Sequence, residues 1–489
     1  SGVLNINLPI ESYLVPVSIS NNTSGIKVSQ RAGEVGLGWN LSAGGFIARQ
    51  KRGVADDSPH GYSGEHSRGQ EVNTATTKVQ FDGQVREDDP NDKWDTHPDI
   101  YFFNFMGQSG QFALDENRNV VKLSANNLKI SKSFSNTNGI LSFTIVDQSG
   151  NSYLFFAKEK TKITNVDTSE EQAYYTSKWH LTSMTNYSTG DVVNFTYINS
   201  NYSQERTHRW ERANATPSQG STLIKTDFEA LLIDEITYKN SVIKFNYGTG
   251  RLDLPDRKKL NSIDYTVNGG HLVTYDFGYK YSVHNHSITG IHRRLLLEEV
   301  TKSTVELKLY QFVYYGQAEG EYPMPHYDIS NQDFWGYYNI NSGNLLQYGT
   351  GGRDPAEVHA KANTLKRIYH TTGGYTEYEY GLNEYHDGVT KEAGGLRIEK
   401  VYKGDHEGNR YLVSEYKYLD AGGNSSGELF AEPIQERTIG IVGTDFQHQE
   451  EFSVDALQDG MGRHIAYENI TVFQSDGGSI AYEFYTFSD

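Results

Sequence analysis

Leu260-Asn-Ser-Ile263-Asp-Tyr265-Thr-Val-Asn268-Gly269-Gly270-His-Leu-Val273-Thr-Tyr275-Asp-Phe277-Gly-Tyr279 is the stretch that decides the fold. Apolar and polar residues alternate on both sides of Asn268-Gly269-Gly270, which puts the apolar set on one face of each strand of a half-buried sheet. Asn-Gly and Gly-Gly supply the positive φ that a tight hairpin turn demands. The stretch therefore reads as a β-hairpin. Its one departure from period two, the three-residue step from Leu260 to Ile263, predicts a bulge or bent strand entry.

The same grammar recurs along the chain. Leu181 and Met184 precede the polar turn Asn186 to Asp191 and then Val193, Phe195 and Tyr197. Ile233 and Ile236 precede Lys239-Asn240-Ser241 and then Ile243, Phe245 and Tyr247. Leu297 and Val300 pair with Phe312 and Tyr314. Leu365 and Ile368 precede Gly373-Gly374 and Tyr378-Glu-Tyr380; Ile398 and Val401 precede Gly408-Asn409 and Tyr416-Lys-Tyr418. A last unit places Tyr467 and Val472 before Gly477-Gly478 and Tyr482-Glu-Phe484. A single hairpin is marginal in water. Their repetition, with only a short helical stretch near Ala356 to Leu365, predicts an all-β fold of stacked hairpins in a spiral, shell-like sheet.

Composition agrees. The 489 residues hold 35 Tyr, 22 Phe and 48 Gly against 4 Met and 11 Pro, a bias toward strand and turn formers. A net charge of −18 opposes association with nucleic-acid backbones or anionic membranes. The absence of cysteine removes disulfides, thiolate metal sites and cysteine nucleophiles. No apolar run has the length of a membrane span.

Three regions follow from the pattern: an opening segment 1–55, an acidic polar excursion 56–98, and hairpin repeats over 99–489. The excursion holds Asp56-Asp57, Glu87-Asp88-Asp89, Asp92 and Asp95 with His60, His66 and His97. Its oxygens suit calcium, yet their spacing matches no EF-hand or nonapeptide loop. The polar segment His208 to Ser221 reads as an exposed loop.

Chemical motifs are sparse. Gly36-x-Gly38 before Trp39 lacks the third glycine and the strand-to-helix context of a phosphate cradle, so it reads as a bend around a buried Trp39, with Gly44-Gly45 nearby. The histidines show no zinc spacing. Glu377 with Glu379, and Glu298 with Glu299, resemble paired catalytic carboxylates, but alternating acids on a strand most often form its wet face. No Gly-x-Ser-x-Gly elbow or Ser, His and Asp set is legible. Sequons such as Asn186-Tyr187-Ser188 and Asn194-Phe195-Thr196 are expected by chance in an Asn-rich chain. No catalytic, cofactor or metal residue is assigned. The chain is expected not to be an enzyme and to need no cofactor.

Several runs resemble RHS/YD-repeat proteins, especially the large secreted ones of Bacteroidota, and the toxin-complex B component. They are the opening Gly25-Ile-Lys-Val28 with Val35-Gly-Leu-Gly-Trp39-Asn-Leu-Ser-Ala-Gly-Gly-Phe-Ile-Ala-Arg49 and Gly53-Val-Ala-Asp-Asp57, then Pro98-Asp-Ile-Tyr-Phe-Phe-Asn-Phe-Met-Gly-Gln-Ser-Gly-Gln-Phe112, Asp333-Phe-Trp-Gly-Tyr-Tyr-Asn339, Thr372-Gly-Gly-Tyr-Thr-Glu-Tyr-Glu-Tyr380 and Gly394-Gly-Leu-Arg-Ile398. The resemblance implies the N-terminal portion of a β shell, secreted or at the cell surface, that encloses, carries or displays a C-terminal toxin or effector polypeptide. It also implies partners: the remainder of its own chain, a shell partner or a secretion component. The family's self-cleaving Asp-Pro-x-Gly motif has no match, since Asp354-Pro355 is followed by Ala356-Glu357. The alternative is a cell-surface adhesin binding glycan or protein through tyrosine-rich sheets; a secreted hydrolase ranks last. A continuous concave lumen would favour the shell, an exposed aromatic groove the adhesin.

Overall fold

The computed structural model describes residues 2–10, 15–58, 61–62, 97–137, 139–212, 218–282, 293–318, 321–327, 331–340, 353–431, 434–441, 444–451 and 463–486. For 207–212, 218–221, 434–441 and 444–451 it describes the backbone alone. The fold is nearly all β and antiparallel; among the described residues the helical pieces are Glu357–Ala360 and the 3-10 turn Ser303–Val305.

Each expected hairpin is present, and successive hairpins pair edge to edge into one ribbon. It runs from Lys129–Ser135 through Gly139–Val146, Ser152–Asn165, Tyr175–Thr185 and Val192–Asn199. It continues through Leu231–Tyr238, Ser241–Gly248, Lys259–Val267, Gly270–Tyr281, Leu295–Lys302 and Leu307–Tyr314. It ends through Leu365–His370, Tyr375–Asp387, Val389–Gly404, Arg410–Lys417, Asn469–Gln474 and Ser479–Glu483. Branches leave it at Tyr175–Thr185, toward Gly45–Gln50 and Ile100–Phe105, and at Ser152–Asn165, toward Ser218–Glu229. Although these strands form one hydrogen-bonded set, no pairing among them joins Ser479–Glu483 back to Lys129–Ser135. The ribbon is open.

The three-residue steps are bulges, as the sequence requires. In the Leu260 hairpin, Ser262 faces Asn246 and Leu260 faces Tyr247, which leaves Asn261 extra. The same shift places extra residues at Thr182, Asp234, Glu298, Lys366 and Glu399. A bulge interrupts the ladder, and beside each one a tyrosine hydroxyl donates to the carbonyl of the preceding aliphatic residue. Tyr197 reaches Leu181 O at 2.6 Å, Tyr247 reaches Ile233 O at 2.8 Å, and Tyr279 reaches Leu260 O at 2.6 Å. Tyr314, Tyr380 and Tyr418 reach Leu297 O, Leu365 O and Ile398 O at 2.7, 2.7 and 2.6 Å. The aliphatic and the tyrosine that open and close each unit are thus one device.

The last unit breaks this rule. Phe484 stands where the others carry tyrosine, and the corresponding carbonyl, Asn469 O, accepts instead from Ser426 Oγ at 2.7 Å. A direct check is Tyr380→Phe, which keeps the buried ring but strands Leu365 O. It should lower stability by about 1–3 kcal/mol in urea titration, whereas Tyr411→Phe, exposed, should change it by less than about 0.5 kcal/mol.

A second device sets several turns. In Asp115…Asn119, Asp147…Asn151, Asp405…Asn409 and Asp420…Asn424 the aspartate Oδ1 accepts the Asn N–H at 2.6 to 3.0 Å, while Oδ2 accepts from its amide. These are side chains mimicking turn backbone.

One expectation fails for the described residues. His208–Arg212 and Ser218–Ser221 are strand and not loop: Tyr202–Arg212 and Ser218–Glu229 pair over eleven registered positions, out to Arg212 with Ser218, and 213–217 lie outside the described residues. Period-two alternation betrays a strand only where one face is buried, and this polar sequence offers no such contrast.

A single hydrophobic core runs through the molecule, and much of it comes from the N-terminal arm. Asn5–Pro9, Val17–Asn22 and Trp39–Ala43 form a separate three-stranded sheet. Its Ile6, Leu8, Val17, Ile19 and Trp39 pack inward with Ile26, Val28, Val35 and Leu37.

Candidate functional site

The arm fills the curl of the ribbon. Gly2 O accepts from Ile398 N, Ser24 O from Leu396 N, Glu34 O from Leu260 N, and Leu37 N donates to Leu295 O, all at 2.8 to 3.0 Å. Arg251, buried, clamps it with a bidentate pair to Asp253 at 3.0 and 2.7 Å and donations to Ala32 O and Gly33 O. Arg294 donates to Val28 O and Pro325 O, both at 2.8 Å. The aromatic face of these hairpins is therefore covered along this stretch by the chain's own N-terminal arm.

Trp39 sits where its motif implies. It is buried, its Nε1 donates to Tyr314 Oη at 2.8 Å, and its ring lies 4.7 Å from Phe312. Gly36, at φ 97°, lets the loop approach closely: a Cβ there would stand 2.9 Å from Leu297 N.

Asp333-Phe-Trp-Gly-Tyr-Tyr-Asn339 packs on Gly394-Gly395, where a Cβ would meet Asp333 Oδ2 at 2.5 Å and Tyr337 Cζ at 2.9 Å. Asp333 Oδ1 accepts the N–H groups of Trp335 and Tyr337 at 2.9 Å, while Oδ2 has no hydrogen-bond donor among the described residues. Burial pushes this carboxyl up to about 7. A folded-state pKa above the unfolded value gives stability that is fully present at acid pH and lost as pH rises through about 7. Asp333→Asn keeps the accepting oxygen without the charge. It should match the wild type near pH 4 and exceed it by about 1–3 kcal/mol at pH 8, read from urea titrations at the two pH values.

At the excursion's described ends, Asp56 and Asp99 each accept the other's backbone N–H. Arg49 lies 2.8 Å from Asp57 Oδ1 and 3.4 Å from Asp99 Oδ2. Burial would raise the Asp57 carboxyl, but Arg49 outweighs it and holds it below the usual range. Asp56 and Asp57 are thus a clasp and not part of a solvent-facing loop. The calcium reading loses Asp57 to a guanidinium and Asp56 to the Asp99 backbone N–H. His60, His66 and residues 87–95 lie outside the described residues. No cluster suited to a metal occurs among the described ones.

The paired carboxylates are bound to cations across strands. Glu377, expected on a wet face, is buried and holds Arg367 and Arg410. Glu379 holds Arg410 at 2.6 Å, Glu299 holds Lys308 at 2.9 Å, and Glu298 lies 3.9 Å from Lys280.

A cavity of about 890 Å³ opens between the arm's three-stranded sheet and the ribbon. On the ribbon side, Glu159 Oε1 lies 3.0 Å from His180 Nε2 and accepts Leu231 N–H at 3.0 Å; Glu159 Oε2 lies 3.0 Å from Lys178 Nζ. Against the cost of burial, the His180 contact and the Lys178 charge hold the Glu159 carboxyl at about 2. Burial drives His180 itself toward its neutral form, which leaves Lys178 as the cation that balances Glu159 at neutral pH. Sequence reasoning missed this trio, because Glu159 and His180 meet only through strand pairing.

No family model and no curated protein matches the chain. Solved structures do. The N-terminal domain of effector protein SpvB from Salmonella typhimurium strain LT2 is 11% identical at TM-score 0.28, covering 61% of this chain and 98% of that one. A TcdB2-TccC3-TEV structure is 10% identical at TM-score 0.23, covering 90% of this chain and 17% of that one. TcdB2-TccC3 without its hypervariable C-terminal region is 11% identical at 0.25, covering 86% and 16%. This chain spans less than a fifth of the latter two. The fold assignment rests on the chain's own strand pairings: an open antiparallel β ribbon of repeated hairpins wrapped on its N-terminal arm.

Proposed function

We propose that this protein is a non-catalytic wall segment of a secreted RHS-type shell, which carries or displays a toxin or effector polypeptide through contacts at its open edge. The observation that carries this reading is the repeat itself. Every hairpin from Leu181 to Tyr418 hands its return strand to a further strand, but among the described residues Ser479–Glu483 pairs on one side only. Ile480, Tyr482, Phe484 and Tyr485 are exposed there, with the Tyr482 and Phe484 rings stacked. Such an edge recruits another strand, and it carries no lysine or proline to deter one. Because the arm occupies the curl, cargo is met beyond the edge and not within this stretch. The five sequence runs that resemble RHS proteins support the same reading. The exposed aromatics of the last unit are the feature that favours the adhesin alternative.

Light scattering at tens of micromolar tests the edge. The isolated chain should self-associate, and Ile480→Lys should suppress this. A stable monomer with slow amide exchange over 479–483 would show the edge to be covered already. Self-cleavage, or hydrolysis of common ester, glycoside or peptide substrates, would overturn the non-catalytic assignment.

A further inference from the structure

The cavity beside Glu159 has a wall whose chemistry no other feature uses. Alternation in the arm's sheet turns Ile6, Leu8, Val17, Ile19 and Trp39 toward the core and leaves Asn5, Asn7, Ser18, Ser20, Asn40 and Ser42 on the other face, which lines the cavity. Strand register sets them in a grid. Asn7 faces Ser20 and Ser20 faces Asn40 in one row; Ser18 faces Ser42 in the next. Directly opposite residues stand about 5 Å apart. None of the six makes a side-chain hydrogen bond to another described residue. Each amide or hydroxyl is able both to donate and to accept.

The opposite wall narrows the choice of ligand. Lys178 is held by Glu159 at 3.0 Å and Lys160 by Glu229 at 3.2 Å. The Arg257 guanidinium donates to Ala32 O and covers the Tyr202 ring at 3.8 Å. Lys258, on the same wall, donates to Asn199 O at 3.3 Å. Each of these cations is thus held by an acid, a carbonyl or a ring, so the wall makes no demand for an anion. Phe46 and Tyr197 add ring surface. The volume lies within the range of small-ligand sites. A ligand that meets a flat grid of uncharged donors and acceptors must itself be uncharged and rich in both. An extended peptide fits less well, because it needs pockets for alternate side chains, and the row from Asn7 to Asn40 has only short polar ones.

We propose that this cavity binds a short neutral oligosaccharide, with Asn7, Ser20 and Asn40 as its contacts. The inference is independent of the shell reading, since neither the edge nor cargo enters it. The test is saturation-transfer NMR and calorimetry on the full chain, with maltotetraose, cellotetraose, chitotetraose and mannotetraose as probes and tetra-alanine as the peptide competitor. At least one sugar should bind at millimolar concentration or better. Asn7→Ala and Asn40→Ala should each weaken it about tenfold, equivalent to about 1.4 kcal/mol, and Ser20→Leu should abolish it. Melting temperatures should not move, as these side chains make no internal bonds. Failure of all four sugars overturns the proposal. So does binding that survives the three variants, or that tetra-alanine displaces.

Discussion

Replacing Arg251 by Met should destabilise the protein by about 3–5 kcal/mol, the usual result of breaking a buried ion pair from one side. The guanidinium has no exposed surface and uses its fork on Asp253, Ala32 O, Gly33 O and Lys258 O. Methionine fills similar space but can donate to none of them. Asp253 would then stay buried with little beyond the N–H of Leu295, 3.2 Å from its Oδ2. The loss is largely a desolvated charge left unpaired, so Arg251→Met with Asp253→Leu should recover part of it. Breaking the exposed pair of Lys391 and Asp387 should cost under about 1 kcal/mol. Urea titration gives the magnitudes, and amide exchange gives the location: Arg251→Met should speed exchange over residues 28–39, where the arm meets the ribbon. A loss below about 1 kcal/mol would mean that the arm is held by apolar packing alone.

Trp39→Ala should cost a similar amount, about 3–5 kcal/mol, for a different reason. The indole is packed against Phe312 and donates to Tyr314 Oη, which in turn donates to Leu297 O. Alanine leaves a cavity at the junction of arm and ribbon and removes the first link of that relay. Trp39→Phe separates the two contributions, since it restores most of the volume without the N–H. It should cost about 1–2 kcal/mol. A change near zero for Trp39→Ala would place the side chain in solvent and contradict the packing. Both substitutions should leave the far edge at Ser479–Glu483 unaltered, because distant sites with no shared partners act independently.

The hairpins, their turns and even their bulges were legible in the sequence. They depend on neighbours close along the chain: alternation marks a half-buried strand, Asn268-Gly269 fixes a turn, and the step from Leu260 to Ile263 cannot be accommodated without an extra residue. The burial of Trp39 was legible for the same reason, since its glycines announce a close approach. The roles of Asp56, Asp57 and Glu377 were not, because a carboxylate looks solvent-facing until a distant arginine, or for Asp56 a distant backbone N–H, arrives beside it. The hairpin through His208 was hidden by its polarity. What the tertiary structure alone decided was the company each face keeps. Alternation tells that Tyr314 and Tyr380 face inward, but not that their hydroxyls close the bulges of their own units, nor that residues 2–10 and 15–46 fill the curl they line. Likewise it tells that Asn7, Ser20 and Asn40 face away from the core, but not that a second wall stands opposite them. Local periodicity assigns each side chain to a face. Only the path of the folded chain determines whether that face meets core, solvent or a cavity.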